Sequence, residues 1–439
     1  FELGERHLDF GRALLQSIRF REVLVLKFCS FSTALSSRLL FARVSVCIAF
    51  GFIRQGRCVI PQLLKVAGLF GLLTLSWIIG MVGGDCREGM ESVGNKNIKT
   101  EQSVRSFYMG FSPWPYDLTL EAVQWTDAAI KAHGDIIEQH FEEGVPWPEA
   151  LANKPYDGAM QQEMADRSRR MGDYKRVVSI NPINMARNGL ADYRGKNCNM
   201  PLSGQWKKRR LNDPAVKQAY LQYCNQVIQS LRPDFLLIGV EVNLLQRCKD
   251  SSWQDYLELH RYIYGSLKRS HPGLPVMASV VCTSYFPGLC SEDNAGDQRA
   301  KLKDLLPYVD VLGFSVHPFM SSWTAEKVPD SSFFRELFAL AAGKPFAITE
   351  SSYPAQPWQM QVGLWPVKFN GSQEKQAAFL KAMLDASLVC KPRFISWYSI
   401  RDYDQLCRKL PNIPLMIVWR DTGLFDENGQ PRQALKIWD

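Results

Sequence analysis

From Phe235 the chain reads FLLIGVEVN to Asn243, and from Phe346 it reads FAITESSY to Tyr353. Each is a short apolar run that delivers one glutamate, Glu241 in the first and Glu350 in the second. Strands that are apolar throughout, rather than alternating, are buried on both faces and belong to parallel sheets covered by helices. Working outward, runs of the same kind recur at Ser106–Phe111, Ile136–Phe141, Arg176–Ile180, Phe235–Val240, Val276–Val281, Val311–Val316, Phe346–Thr349 and Phe394–Tyr398. Between them, apolar residues at helical spacing predict helices such as Leu118–His133, Pro214–Leu231, Trp253–Ser270, Ala300–Leu306, Ser332–Ala342 and Gln373–Val389. Asp213 before Pro214 and Ser372 before Gln373 mark two of the helix starts. Eight strand–helix units over residues 104–439 predict an α/β fold, a single (β/α)8 TIM barrel domain. No GxGxxG follows the first strand, which argues against an open doubly wound sheet.

The whole chain has 439 residues, 46% of them hydrophobic and 22% charged, which excludes a disordered or collagen-like protein. Its formal charge of +8 is unevenly placed. Ten basic and four acidic residues fall in residues 1–80, a net of +6 that leaves +2 for the other 359 residues. The body is nearly neutral, so nucleic acid is not an expected partner. All 13 methionines lie from Met81 onward, so residues 1–65 read as a basic leader from an upstream-extended reading frame or a fragment.

Residues 66–84, VAGLFGLLTLSWIIGMVGG, carry no charge and follow Lys65, Arg57 and Arg54. A basic flank, an apolar core and small residues at the end predict an export signal, and 19 residues also suffice for a membrane anchor. Residues 85–103 read as a polar linker. The expected location is therefore extracellular or periplasmic, secreted or tethered to a membrane through residues 66–84, with the protein a monomer. Seven of the 11 cysteines fall in the barrel region, and none forms a CxxC pair. Export would permit a disulfide such as Cys282–Cys290.

Barrels of this type place their chemistry at the C-terminal ends of the strands. There the chain offers Trp114 after strand one, Asn181 after strand three, Glu241 and Asn243 after strand four, Tyr285 after strand five, His317 after strand six, Glu350 at strand seven and Trp397 at strand eight. A carboxylate ending a buried strand is costly to desolvate unless it faces a polar cavity. Strands four and seven lie on opposite sides of an eight-stranded ring, so Glu241 and Glu350 would face each other across the mouth. Two opposed carboxylates suit retaining glycoside hydrolysis, one as acid/base and one as nucleophile. An acid at position 241 would need the negative charge of Glu350 and an apolar wall from Val240 and Val242. A metal-dependent hydrolase would need several His or Asp at strand ends, and only His317 and His140 stand there, so no metal or cofactor is expected.

Four segments resemble a known group: IGVEVN (Ile238–Asn243), LGFSVHPF (Leu312–Phe319), GKPFAITESSYP (Gly343–Pro354) and TGLFDENGQPRQAL (Thr422–Leu435). They are similar to clan A glycoside hydrolases, most of all the arabinogalactan endo-β-1,4-galactanase type of family 53, over strands four to eight. The resemblance implies acid/base Glu241, nucleophile Glu350 and an oligo- or polysaccharide substrate such as galactan or another β-glycan. The chain departs from the clan in having Val240 where an Asn usually precedes the acid/base. It also has His317 where the galactanases tend to have Tyr. His317 is read either as a structural histidine or as a residue that orients Glu350 or binds sugar. Aromatic residues Trp114, Trp147, Tyr285, Trp358, Trp365 and Trp397 are expected at the mouth, where flat faces stack on sugar rings. His133 and His140 read as structural. The rival expectation, prompted by Val240, is a catalytically silent barrel that binds glycan or a cell-surface partner.

Overall fold

The computed structural model describes residues 105–248, 252–290, 292–321, 327–362, 365–410 and 416–439. The expected leader, the apolar segment 66–84 and the linker 85–103 lie outside the described residues, as does the side chain of Trp365. Among the described residues no helix is long and apolar enough to cross a membrane.

Eight parallel strands close into a barrel in the order β1, β10, β7, β6, β5, β4, β3, β2. They are β1 (Tyr108–Phe111), β2 (Ile136–Phe141), β3 (Lys175–Ile180), β4 (Phe235–Leu237), β5 (Val276–Val281), β6 (Val311–Val316), β7 (Phe346–Ser351) and β10 (Phe394–Trp397). The outer layer is built from α1 (Leu120–His133), α2 (Trp147–Leu151), α3 (Gly158–Arg170), α4 (Pro214–Leu231), α5 (Ser252–Ser270), α6 (Ala295–Leu305), α7 (Ser331–Ala339) and α8 (Gln373–Cys390). Three short helices, α9 (Asp404–Lys409), α10 (Met416–Trp419) and α11 (Gln433–Trp438), complete the C-terminal part. The expected helix starts are present: Asp213 Oδ1 accepts from the Ala215 N–H at 2.8 Å, and Ser372 Oγ accepts from the Lys375 N–H at 3.2 Å.

One element differs in kind from the expectation. Between β7 and α8 the chain forms an antiparallel hairpin of β8 (Trp358–Val362) and β9 (Trp365–Phe369). Trp358, expected in a loop at the mouth, stacks on Phe369 at 5.7 Å and is buried.

The barrel interior is layered. One apolar cluster gathers Ile136, Val177, Leu237, Val240, Met277, Val311, Ala347 and Phe394 from all strands but β1. Above it the inward positions turn small and polar, with Glu138, Ser179, Ser279, Gly313, Thr349 and Ser396. Gly110 has no alternative there, because a Cβ would stand 1.7 Å from the Ile136 carbonyl oxygen. This order, apolar below and polar above, makes room for charged groups at the C-terminal ends of the strands.

Between β6 and β7 the register slips: Phe314 pairs Ile348, but Ser315 pairs Glu350. Thr349 is the extra residue, and the bulge re-aims the end of β7, where Glu350 sits. Cys282 and Cys290 are both free thiols, so the expected Cys282–Cys290 staple is absent. Cys290 instead accepts a hydrogen bond from Arg247 Nη2 at 3.0 Å.

Candidate active site

Glu241 is set by the way β4 ends. Pairing with β5 continues past the strand through the Ile238 N–H to the Met277 carbonyl (2.9 Å) and the Ser279 N–H to the Gly239 carbonyl (2.9 Å). The chain then turns, and Glu241 takes a left-handed conformation, φ 52° and ψ 39°. A non-glycine residue held there is strained, and such strain collects at functional positions. Its own N–H donates to Ser279 Oγ at 3.0 Å, fixing the turn. Its carboxylate accepts from Ser315 Oγ at 3.1 Å and from Arg187 Nη2 at 3.2 Å.

Glu350 and Glu241 are the ends of an arc of alternating charge. Glu350 Oε1 lies 3.6 Å from His140 Nδ1, and His140 Nε2 lies 3.5 Å from Glu142 Oε2. Glu142 Oε1 meets Arg187 Nη1 at 2.6 Å, and the other arm of Arg187 reaches Glu241. Three carboxylates and two cations thus alternate around the mouth, from β7 through β2 and the loop after β3 to β4. All five side chains are nearly withdrawn from water, Glu350 being the most open at 13% exposure. In such a site each charge is met by its neighbours rather than by solvent.

The arc shapes the titration of its members. Burial opposes the charge of His140, but Glu142, Glu350 and Glu138 outweigh it and raise the imidazole to about 9. Burial also resists ionisation of Glu142, yet Arg187 and His140 hold its carboxyl below the usual range. At Glu350 burial is the main cause of a rise to about 7; His140 opposes it, and the charges of Glu241, Glu138 and Glu142 add to it. Glu138, one turn of the strand deeper, is fully buried against Ser179 Oγ at 2.7 Å, and burial raises its carboxyl too.

Of the residues expected at the site, the structure brings Glu241, Glu350 and Asn181 together. Asn181 Nδ2 donates to Glu142 Oε1 at 2.6 Å. His317 Nδ1 shares a hydrogen bond with Ser352 Oγ at 2.8 Å, two residues beyond Glu350, and its ring meets Trp419 edge-on at 4.9 Å. Trp114 is half-buried, with the Arg167 guanidinium 5.9 Å from its ring.

Four expectations are corrected. Asn243 is fully buried, donating to Gln298 Oε1 at 3.1 Å and accepting from the Val281 N–H at 2.9 Å, so it ties the β4 end to β5 and α6. Tyr285 is fully buried in the hydrophobic core. Trp397 is fully buried against Phe379 of α8 and Trp438 of α11, with its indole N–H on the Thr422 carbonyl at 3.0 Å. The next residue, Tyr398, is buried within the electrostatic reach of Glu350 and packs on Trp419 at 5.3 Å. Trp147 is likewise core, its N–H on the Ala191 carbonyl at 2.8 Å.

The sequence reading missed Arg187, Glu142, Ser315 and Tyr398 and took His140 for structural. A signal for part of this was present in β2. Glu138, His140 and Glu142 recur at period two, so all three point into the barrel. Arg187 lies in an irregular loop, and no periodicity marks it. Asp402, Asp404 and Glu427 are close enough to share a cation, but Asp402 is engaged by Arg432 and by the Gly423 N–H at 2.9 Å.

No family model matches the chain, and no curated protein matches it. Solved structures do. A GH5_18 protein from Streptomyces cattleya, solved with Manβ1-4GlcNAc, superimposes with a TM-score of 0.52 at 16% identity, over 75% of this chain and 78% of that one. An exo-β-1,4-mannosidase from Opitutaceae bacterium strain TAV5 gives 0.51 at 12% identity, over 76% of this chain and 58% of that one. The GH53 catalytic domain from Ignisphaera aggregans gives 0.49 at 15% identity and carries no argument for one family over another. At these identities the likeness establishes the barrel fold.

Proposed function

We propose that the protein is a retaining β-glycoside hydrolase that acts on a polysaccharide by double displacement. The observation that carries this reading is the pairing of Glu241, after β4, with Glu350, at β7, inside one buried charge network. Glu350 attacks the anomeric carbon while Glu241 protonates the leaving oxygen; Glu241 then activates the water that releases the sugar. The bulge at Thr349, the turn at Glu241 and the Ser315 hydroxyl hold the two groups. The solved structures of similar fold include proteins named as a mannosidase and as a complex with a mannosyl disaccharide, which favours a β-linked glycan as the substrate class. Galactan stays within that class on the strength of the sequence segments alone.

Export through residues 66–84 belongs to the same proposal and rests on the sequence. N-terminal sequencing together with membrane fractionation of the natural product tests it, and an N-terminus ahead of residue 66 on a protein that does not sediment with membranes would sink it.

The decisive experiment is turnover of β-linked polysaccharides and aryl β-glycosides by the full chain, with Glu241→Gln and Glu350→Gln alongside. Loss of about 1,000-fold or more in both variants is expected, the scale at which removal of one member of a catalytic pair is felt. Glycan binding without turnover by the wild-type protein would establish the silent barrel instead.

A further inference from the structure

Arg187 bridges two carboxylates with the two arms of one guanidinium, Nη1 to Glu142 at 2.6 Å and Nη2 to Glu241 at 3.2 Å. The group is 6% exposed and cannot release its proton, so it is a permanent cation against Glu241. The Ser315 hydroxyl adds a second donor to the same carboxylate at 3.1 Å. Glu350 is served differently. Its cation is His140, which stands at 3.6 Å, beyond a hydrogen bond, and is shared with Glu142 at 3.5 Å. Two like charges in one buried site do not both ionise freely, and the one held by the closer cation and hydrogen-bond donors keeps the charge.

We propose that Arg187, although shared with Glu142, makes Glu241 the ionised member of the carboxylate pair in the free protein, so that the proton the pair shares rests on Glu350. This inference rests on the two-carboxylate reading and deepens it. The other titratable groups around the pair are Glu138 from β2, Cys282 from the turn after β5 and Tyr398 after β10. Glu138 and Glu142 both add negative field at Glu350, in the same sense as Glu241.

The resting proton is then on the wrong carboxyl for the first chemical step. That step needs Glu350 ionised, to form the bond to the anomeric carbon, and Glu241 protonated, to give its proton to the leaving oxygen as the glycosidic bond breaks. The proton must pass from Glu350 to Glu241 beforehand. In the second step a water oxygen bonds to the anomeric carbon, its proton goes to Glu241, and Glu350 leaves as a carboxylate. There the esterified Glu350 is neutral, and a Glu241 kept ionised by Arg187 is already the base. Arg187 therefore slows the first step and favours the second. Glu142 competes for Arg187 and limits the effect.

Two measurements test this. The first needs no turnover: carboxyl-carbon NMR of the full chain labelled at the glutamate side-chain carboxyls, with Glu241→Gln and Glu350→Gln identifying the two resonances. At pH 6 the resonance lost in Glu350→Gln is expected at the protonated position and the one lost in Glu241→Gln at the ionised position. The reverse assignment would overturn the proposal whether or not any glycoside is hydrolysed, whereas absence of turnover alone would count against the functional reading.

The second measurement compares aryl β-glycosides of the hydrolysed sugar whose phenol leaving groups differ in acidity. Arg187→Met is expected to ease the first step for poor leaving groups by about tenfold relative to good ones and to move the alkaline limb of kcat/KM upward. Glu142→Gln leaves Glu241 as the buried partner of Arg187, so both readouts should move the opposite way. Should Arg187→Met fail to fold, Arg187→Met/Glu142→Gln removes both buried charges and should follow the Arg187→Met direction. Shifts of the same sign in the Arg187 and Glu142 variants would overturn the proposal, since general damage to the site moves both alike.

Discussion

Asn181 grips both backbone groups of Val240: its Oδ1 accepts from the Val240 N–H at 3.3 Å, and its Nδ2 donates to the Val240 carbonyl at 3.4 Å. The residue before Glu241 is thereby fixed through its main chain, and its side chain joins the apolar cluster with Ile136, Val177, Leu237, Met277, Val311, Ala347 and Phe394. The residue at which the chain departs from the resembled pattern thus lies with its side chain in the apolar cluster. Val240→Asn would bury an amide among alkyl groups instead of offering it to a sugar. It is expected to destabilise the fold by about 2 kcal/mol, the cost of an unpaired buried polar group, and to raise no activity. Denaturant unfolding alongside turnover checks both halves, and a gain in turnover would refute this placement.

Trp397 and Tyr398 divide between core and site. Trp397→Leu removes a buried indole and its bond to the Thr422 carbonyl, and should cost about 3 kcal/mol of stability while leaving KM for a soluble substrate within about twofold. Tyr398→Leu should do the converse, with a smaller loss of stability and a marked rise in KM. Thermal unfolding and steady-state kinetics on the two variants separate the roles; a larger KM effect at Trp397 would restore the sequence-based expectation.

That exchange shows where the sequence was legible and where it was not. The eight barrel strands could be read because burial on both faces leaves runs such as Val276–Val281 and Val311–Val316 almost free of charge. Glu241 and Glu350 stood out for the same reason, as charges ending such runs. Inside or outside was harder, because neighbouring residues of a strand point to opposite faces and a one-residue error exchanges Trp397 for Tyr398. The β8–β9 hairpin was missed because its tryptophans read equally well as mouth aromatics. Arg187 was beyond reach: its meaning lies in two partners 45 and 54 positions away in the chain, Glu142 and Glu241.

A second buried ionic group lies beside the first and answers to stability. Arg167 of α3 is 1% exposed, bonded to Glu143 and, at 2.5 Å, to Glu163, with its guanidinium 3.9 Å from the Phe141 ring. Arg194 holds the far oxygen of Glu163 at 2.6 Å. Arg167→Met leaves two carboxylates short of a cation in a water-excluded pocket, and should cost about 3–5 kcal/mol. Adding Glu143→Gln to that variant should recover part of the loss, since the uncompensated charge is then gone. Equal stability of the single and double variants would contradict the assignment of the cost to unpaired charge.

The candidate nucleophile should itself weaken the fold at neutral pH. Glu350 rises from an ordinary 4.5 to about 7, first through burial, then through Glu241 and Glu138 against the pull of His140. A carboxyl whose folded pKa is raised favours folding only while protonated. Its contribution is whole below pH 4.5, falls as pH rises through 7, and is constant above. Over that window the wild-type protein should lose about 3 kcal/mol relative to Glu350→Gln, which carries no charge to desolvate. His140, whose imidazole Glu350 helps to raise, keeps its full contribution below pH 6.5 and loses it progressively as pH rises to about 9, so the comparison belongs at pH 6.5 and below. Guanidinium unfolding of both proteins at intervals from pH 4.5 to 6.5 should show the variant gaining steadily on the wild type. A constant difference across that range would mean that Glu350 ionises in the folded protein as easily as in water.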